Sequence, residues 1–210
     1  MTDASQASQT ASDDIAYVRQ LAESGARAPL TGGRFMAWWG LCLTVAYVAH
    51  SLALGGTIGD GGAIFGIIWM TFLAVALAGQ WLLARAMPAK AGAGSAGNRA
   101  SRTVWTAGAL AIGSMAIGAA IAAQTGQGYR TFDWIVPVAF TAYACALIVT
   151  GSLAGEKIAV AAGFGAVVMV GLFTSVILHP DRYLLAAGGV AVTVLLPGVL
   201  LILREPKAEG

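Results

Sequence analysis

Apolar residues along this chain fall into six long runs separated by short polar segments. The runs cover approximately residues 35–54, 62–84, 103–123, 134–150, 158–178 and 183–203. Each is close to the roughly 20 residues that a helix needs to cross a hydrocarbon core about 30 Å thick. The pattern therefore predicts an all-α integral membrane protein, a six-transmembrane-helix bundle over 35–204, followed by a short C-terminal tail at 205–210.

The first 34 residues are polar and contain one amphipathic segment. Ile15, Val18 and Leu21 recur at helical spacing between about residues 13 and 24. We predict a short N-terminal amphipathic helix there, on the cytoplasmic side of the membrane. A helix of about 12 residues is marginally stable alone in water. Its apolar stripe must therefore rest on lipid headgroups, on the bundle or on another protein.

The basic residues are distributed unequally between the two sides of the predicted bundle. Six spans put both termini on one side, and that side carries Arg19, Arg27, Arg34, Arg85, Lys90, Arg99, Arg102, Lys157, Arg204 and Lys207. The other side carries Arg130 and Arg182. Basic connections stay in the cytoplasm, so we expect cytoplasmic termini. Compact loops and a composition rich in Ala and Gly favour a bacterial inner membrane.

Composition agrees with this prediction and excludes several classes of protein. Hydrophobic residues make up 58% of the chain and charged residues 10%, whereas soluble domains have about 25% charged residues. A formal net charge of +2 is too small for a nucleic-acid interface. Cys42 and Cys145 both lie in apolar runs and are expected to be free thiols rather than a disulfide.

Small residues and prolines indicate where the helices pack and bend. Pairs of small residues occur at four-residue spacing, which lets helices approach closely in lipid; they are Gly62 and Gly66, Ser114 and Gly118, and Ala161 and Gly165. They predict helix packing, either within one bundle or across a dimer. Pro137 and Pro197 lie inside predicted spans and are expected to bend them.

Few polar side chains lie in the interior of the runs. We find no Asp, Glu, Lys or Arg there, which argues against a coupled transporter, because such proteins keep ionisable groups within the membrane. Gln80 is expected to hydrogen-bond to another helix. Trp69, in the middle of the second run, is predicted to be a packing residue.

Polar residues also collect at the end of the bundle opposite the termini. This outer polar cluster consists of His50, Asp60, Arg130, Asp133, His179, Asp181 and Arg182. His50 and His179 are candidate ligands for a metal or a haem, although metal sites usually use three or four ligands. The alternative is that His50 bonds to a neighbouring helix and residues 179–182 form a tight turn. Tyr183, beside them, is expected at the membrane interface.

Catalytic signatures are missing from the sequence. It contains no GxxxxGK[ST], HExxH, GxSxG or CxxC motif, so we expect neither enzymatic activity nor a cofactor. The leading hypothesis is a non-catalytic subunit or regulatory scaffold of a membrane complex, which contacts lipid and docks a protein partner through Ile15, Val18 and Leu21. The alternatives are a passive channel or small-solute permease whose mouth is the outer polar cluster, and a haem or metal-binding membrane protein.

Overall fold

The described part of the chain contains six helices that are long and apolar enough to cross a membrane. The computed structural model describes Tyr17 and residues 32–59, 62–86, 96–126 and 128–204. The helices are α1 (Gly33–Leu54), α2 (Ala63–Ala86), α3 (Ala96–Gln124), α4 (Ile135–Ala154), α5 (Lys157–Ser175) and α6 (Arg182–Leu203). The described ranges contain no strand. The predicted all-α bundle of six membrane helices is confirmed.

Two helices begin earlier in the sequence than the apolar runs suggested. The third starts at Ala96, upstream of Thr103. A 3-10 turn at Tyr129–Trp134 leads directly into α4, so the fourth span begins at Tyr129. Asp133, expected in a connection outside the membrane helices, is therefore a buried part of this span. The prediction that placed Asp133 in a connection is wrong, because this residue lies at the start of the fourth span.

Helix α6 changes its winding near its middle. It is α-helical over Arg182–Val190, a π-helix over Ala191–Leu195 and α-helical again over Leu196–Leu203. Pro197 follows the π segment and has no N–H to donate to the carbonyl four residues earlier, so wider winding fits there. Pro137 lies in the first turn of α4, where N–H groups have no helical partner. Both prolines thus lie beside a change of helix type.

The core is built by α1, α4, α5 and α6. Its fully buried side chains come from three of these helices; the largest are Phe140, Leu147, Phe173, Val190 and Val194. Helix α6 lies centrally, because it packs against α1 and α5 and its Gly189 faces the ring of Phe140. The middle of the bundle is thus filled with side chains.

Glycines bring the helix backbones into contact at the α1–α6 and α4–α5 interfaces. A Cβ atom at Gly40 would lie 2.6 Å from the backbone N of Leu195, and one at Gly198 would lie 2.5 Å from the N of Ala37. Between α4 and α5, a Cβ at Gly163 would lie 2.6 Å from Cγ1 of Ile148 and 3.0 Å from its backbone N. These distances are too short for any side chain, so glycine sets the separation of the helices.

Most of the small residues predicted to mediate packing lie elsewhere. Among the described residues, a Cβ atom at Gly62, Gly66 or Gly118 would meet no atom of another helix within 4 Å. Ser114 and Ala161 are exposed. A Cβ at Gly165 would lie 3.3 Å from Thr193 of α6, so this position contacts another helix.

Helices α2 and α3 flank the core: α2 packs on α1, and α3 packs on α4. Two adjacent tryptophans of α1 hold α2. Trp38 donates from Nε1 to the carbonyl of Ala76 at 3.0 Å, and Trp39 donates to Oε1 of Gln80 at 2.6 Å. The expected cross-helix hydrogen bond of Gln80 is confirmed, as is the packing role of Trp69, which lies partly buried against the core.

Candidate functional site

The bundle has two ends of different character. At the end that we call terminal, Gly33 at the start of α1 lies against Leu201 near the end of α6. At the other end, which we call distal, the ring of His50 lies 3.9 Å from the ring of Tyr183, measured between centroids. The residues of greatest chemical interest are buried at the distal end.

We define the distal cluster as His50, Trp69, Asp133, Arg182 and Tyr183, which come from α1, α2, the 3-10 turn before α4, and α6. At its centre, Nε of Arg182 donates to Oδ1 of Asp133 at 3.2 Å. The hydroxyl of Tyr183 donates to the same oxygen. Asp133 is buried, and the Arg182 side chain is 16% exposed. Two donors thus satisfy a carboxylate that burial would otherwise destabilise.

Local structure presents these three polar groups to one another. Gly128 has a φ of 79°, a left-handed conformation that glycine adopts without strain, and it starts the 3-10 turn that carries Asp133. Arg182 and Tyr183 are the first residues of α6. The carbonyl of His179 accepts two hydrogen bonds from Arg182, one from Nη1 at 3.1 Å and one from the backbone N–H at 3.3 Å. The tight turn expected at residues 179–182 is confirmed.

His50 is buried between rings of α2 and α6. Its Nδ1 accepts a hydrogen bond from Nε1 of Trp69 at 3.0 Å, and its ring centroid lies 4.6 Å from that of Phe65. The interpretation that His50 bonds to a neighbouring helix is confirmed. A nitrogen that accepts carries no proton, so the ring is the neutral tautomer protonated at Nε2. In the described part of the chain, Nε2 has no hydrogen-bond partner.

Aromatic side chains separate this cluster from the rest of the core. Tyr47 stacks on Tyr183 with 6.0 Å between ring centroids, and Phe173 meets Tyr183 edge-on at 6.2 Å. Tyr183 itself is 3% exposed, so its ring lies inside the bundle, at the start of α6. Removal of water strengthens the hydrogen bonds and the ion pair.

His179, by contrast, is exposed at the rim of the distal end. Its Nδ1 lies 3.7 Å from Oδ2 of Asp181 and accepts from the Asp181 N–H at 3.2 Å. His50 is held by Trp69, so the two histidines have different partners. Among the described residues, no group of three or more His, Cys, Asp or Glu side chains could hold a metal ion.

Of the other predicted site residues, some are exposed and some lie outside the part of the chain that the structure describes. Arg130 is exposed on the 3-10 turn. Asp60 and the predicted docking residues Ile15, Val18 and Leu21 lie outside the described residues. Within the predicted amphipathic segment the structure describes Tyr17, which is helical and exposed.

Sequence reasoning missed Trp69 and Tyr183 as members of the cluster. The signal for Trp69 was present in the sequence: His50 and Trp69 lie at similar distances on either side of the 55–62 connection, so an antiparallel helical hairpin brings them to one level. The signal for Tyr183 was its position next to Arg182.

Chemically, the distal cluster is a clamp that joins α1, α2, α4 and α6. Its carboxylate is held by two donors and its imidazole by one, within a packed aromatic shell. Comparisons with protein-family models, curated proteins and solved structures find no match to this chain.

Proposed function

We propose that the protein is a non-catalytic, multi-pass subunit of a membrane complex that acts as a scaffold or regulatory partner. The observation that carries this proposal is the low burial of α2 and α3 within the bundle. Of the residues in the most apolar stretch of α2 and of α3, 6% are buried in each case, against 50% for the fourth and sixth spans. Such helices have apolar surface available for partner helices as well as for lipid.

Each flanking helix presents large apolar side chains at spacings that keep them on one face. On α2 these include Ile67, Met70 and Leu77, and on α3 Leu110 and Ile117; all are exposed. Residues three, four and seven positions apart share a helix face. This arrangement supports docking of a transmembrane helix against α2 or α3. The amphipathic segment with Ile15, Val18 and Leu21 supplies a second contact on the cytoplasmic side.

The interior of the bundle favours a scaffold over a transport protein. The buried carboxylate of Asp133 is occupied by Arg182 and Tyr183, and Nδ1 of His50 by Trp69. The side chains of Phe140 and Phe173 fill the centre of the core. A channel needs polar groups along a water-filled path, whereas these polar groups bind one another.

We further propose a bacterial inner membrane location with both termini in the cytoplasm. The excess of Lys and Arg on the terminal side supports this orientation. Arg85 lies 3.8 Å from the centroid of the Trp81 ring, a pairing suited to the headgroup region. Reporter fusions after Arg204 and in the 124–129 connection test the orientation: cytoplasmic activity is expected from the first and periplasmic activity from the second. The reverse pattern would overturn it.

Site-specific photo-cross-linking in membranes tests the scaffold function. A photoreactive residue at Met70 or Leu110 is expected to capture one discrete protein, whereas the matched exposed position Val168 of α5 should capture lipid. Replacing Ile15, Val18 and Leu21 together with Ser should abolish partner copurification without changing bundle stability. Identical diffuse products from all three positions, or solute flux through vesicles containing the pure protein, would count against a subunit role.

A further inference from the structure

The surface between α4 and α5 contains two grooves that line up along the same pair of helices. One, of about 430 Å³, lies at the terminal end beside Gly151, Ser152, Lys157 and Phe164. The other, of about 440 Å³, lies further along the pair beside Cys145, Ile148, Val167 and Gly171.

Helical spacing places the two grooves one after the other along the same face of α5. On α5, Lys157, Phe164, Val167 and Gly171 line the grooves, and their separations of seven, three and four residues keep them on one face. From Lys157 to Gly171 this face extends roughly 20 Å at about 1.5 Å per residue, which exceeds the thickness of one leaflet, about 15 Å. We call this feature the α4–α5 groove.

Residue size explains why a groove forms here. Gly171, where a side chain would meet open space, leaves the surface of α5 low, while Phe164, which is exposed, forms a wall beside the groove. The surfaces that line it are almost entirely apolar. A crevice that opens to the hydrocarbon of a membrane excludes water, so an apolar group must fill it. The groove is long and apolar, which suits the acyl chain of a lipid.

A positive charge at one end of the groove favours a lipid with an anionic headgroup. Lys157 is exposed at the terminal end, and its ammonium has no ion-pair partner in the described part of the chain. Helix α5 begins at the same residue, and the side chain of Glu156 does not cap its first N–H groups. A cation beside uncapped N–H groups at headgroup depth attracts phosphate.

We propose that the α4–α5 groove binds an anionic phospholipid, whose phosphate pairs with Lys157 and whose acyl chain lies between Phe164 and Ile148. This occupant satisfies both features of the groove at once, an apolar floor that is longer than one leaflet is thick and a cation at its mouth. One Lys near a membrane surface contributes about 1 kcal/mol toward anionic lipid. We therefore expect about a fivefold preference over zwitterionic lipid.

Photoactivatable lipids test the proposal on the full chain in bilayers. Phosphatidylglycerol and phosphatidylcholine carry the same diazirine on one acyl chain, and labelled peptides are quantified by mass spectrometry. Labelling of α4 and α5 is expected to be about fivefold higher with phosphatidylglycerol, while the exposed surface of α2 serves as the internal reference and shows no preference.

Two matched variants isolate the headgroup contact. Lys157→Gln should abolish the preference for phosphatidylglycerol. Arg204→Gln, which removes another cation at the terminal end, should leave this preference unchanged. Glu156→Gln should increase the preference, because it removes the carboxylate next to Lys157. Thermal unfolding of each variant checks that the bundle is intact. Labelling of α4 and α5 that is equal for the two lipids, or a preference that persists in Lys157→Gln, would overturn the proposal.

Discussion

Asp133 and Arg182 are 49 positions apart in the sequence, yet Oδ1 of the first and Nε of the second lie 3.2 Å apart at the distal end of the bundle. The pair joins the start of the fourth span to the start of the sixth. Tyr183 donates to the same oxygen and contacts His50 of α1. The carboxylate therefore joins the fourth and sixth spans directly, and the ring of Tyr183 extends the contact to α1.

Removing the charge of Asp133 should destabilise the bundle. In Asp133→Asn the Arg182 cation loses its counter-charge in a site that is largely shielded from water. Breaking a fully buried pair costs about 3–5 kcal/mol, and we expect roughly 2–3 kcal/mol here because Arg182 is partly exposed. Denaturant unfolding in detergent micelles measures the change.

Asp181→Asn is the matched control for Asp133→Asn. Asp181 also lies beside a basic side chain, His179, but both are exposed, and exposed pairs contribute at most about 1 kcal/mol. A stability loss as large for Asp181→Asn as for Asp133→Asn would contradict the clamp.

Tyr183→Phe should separate the hydrogen bond of the hydroxyl from the packing of the ring. The phenyl ring can keep its contacts with His50 and Tyr47, while Asp133 loses one of its two donors. Hydrogen bonds to charged groups contribute about 1.5–3 kcal/mol, and a loss within that range is expected in thermal unfolding. Tyr129→Phe, at an exposed ring, should change stability by less than about 0.5 kcal/mol. Equal effects of the two substitutions would refute the assignment.

The tautomer of His50 can be measured directly. Because Trp69 donates to Nδ1, ¹⁵N NMR of histidine-labelled protein at neutral pH should show Nδ1 unprotonated and Nε2 protonated. The chain has two histidines, so a His179→Gln variant assigns the signals. In Trp69→Phe the Nδ1 resonance should shift as the hydrogen bond is lost. A ring protonated at Nδ1 in the wild type would be incompatible with this contact.

Adding a methyl group at Gly40 should force α1 and α6 apart. The new Cβ would lie 2.6 Å from the backbone of Leu195, which cannot rotate away as a side chain could. Overpacking costs about 1–3 kcal/mol, and we expect Gly40→Ala to lower stability within that range. Gly118→Ala meets open space and should be neutral or stabilising by up to about 1 kcal/mol, since Ala favours helix. Similar stability of the two variants would be inconsistent with this interface.

Several features of the protein follow from local sequence alone. Runs of about 20 apolar residues require helices, because every backbone N–H and C=O in hydrocarbon must be paired within the segment. The number of membrane helices could therefore be predicted. The hydrogen bond of Gln80 was predictable for the same reason, since an amide within lipid requires a partner. The turn at residues 179–182 could be predicted from its Pro and Asp residues, which favour turns.

Tertiary structure decided which residues meet. Four-residue spacing of small side chains is common in a chain with 28 glycines, and it carries no information on which helix faces which. The close approaches therefore occur at Gly40, Gly163 and Gly198 rather than at Gly62, Gly66 and Gly118. Likewise, the hydropathy pattern places Asp133 at the boundary of the fourth apolar run. The local sequence shows that burying a lone carboxylate is costly, but it does not show which residues would compensate the charge. The helices α4 and α6 bring it to Arg182 and Tyr183, and that compensation depends on residues distant in the chain.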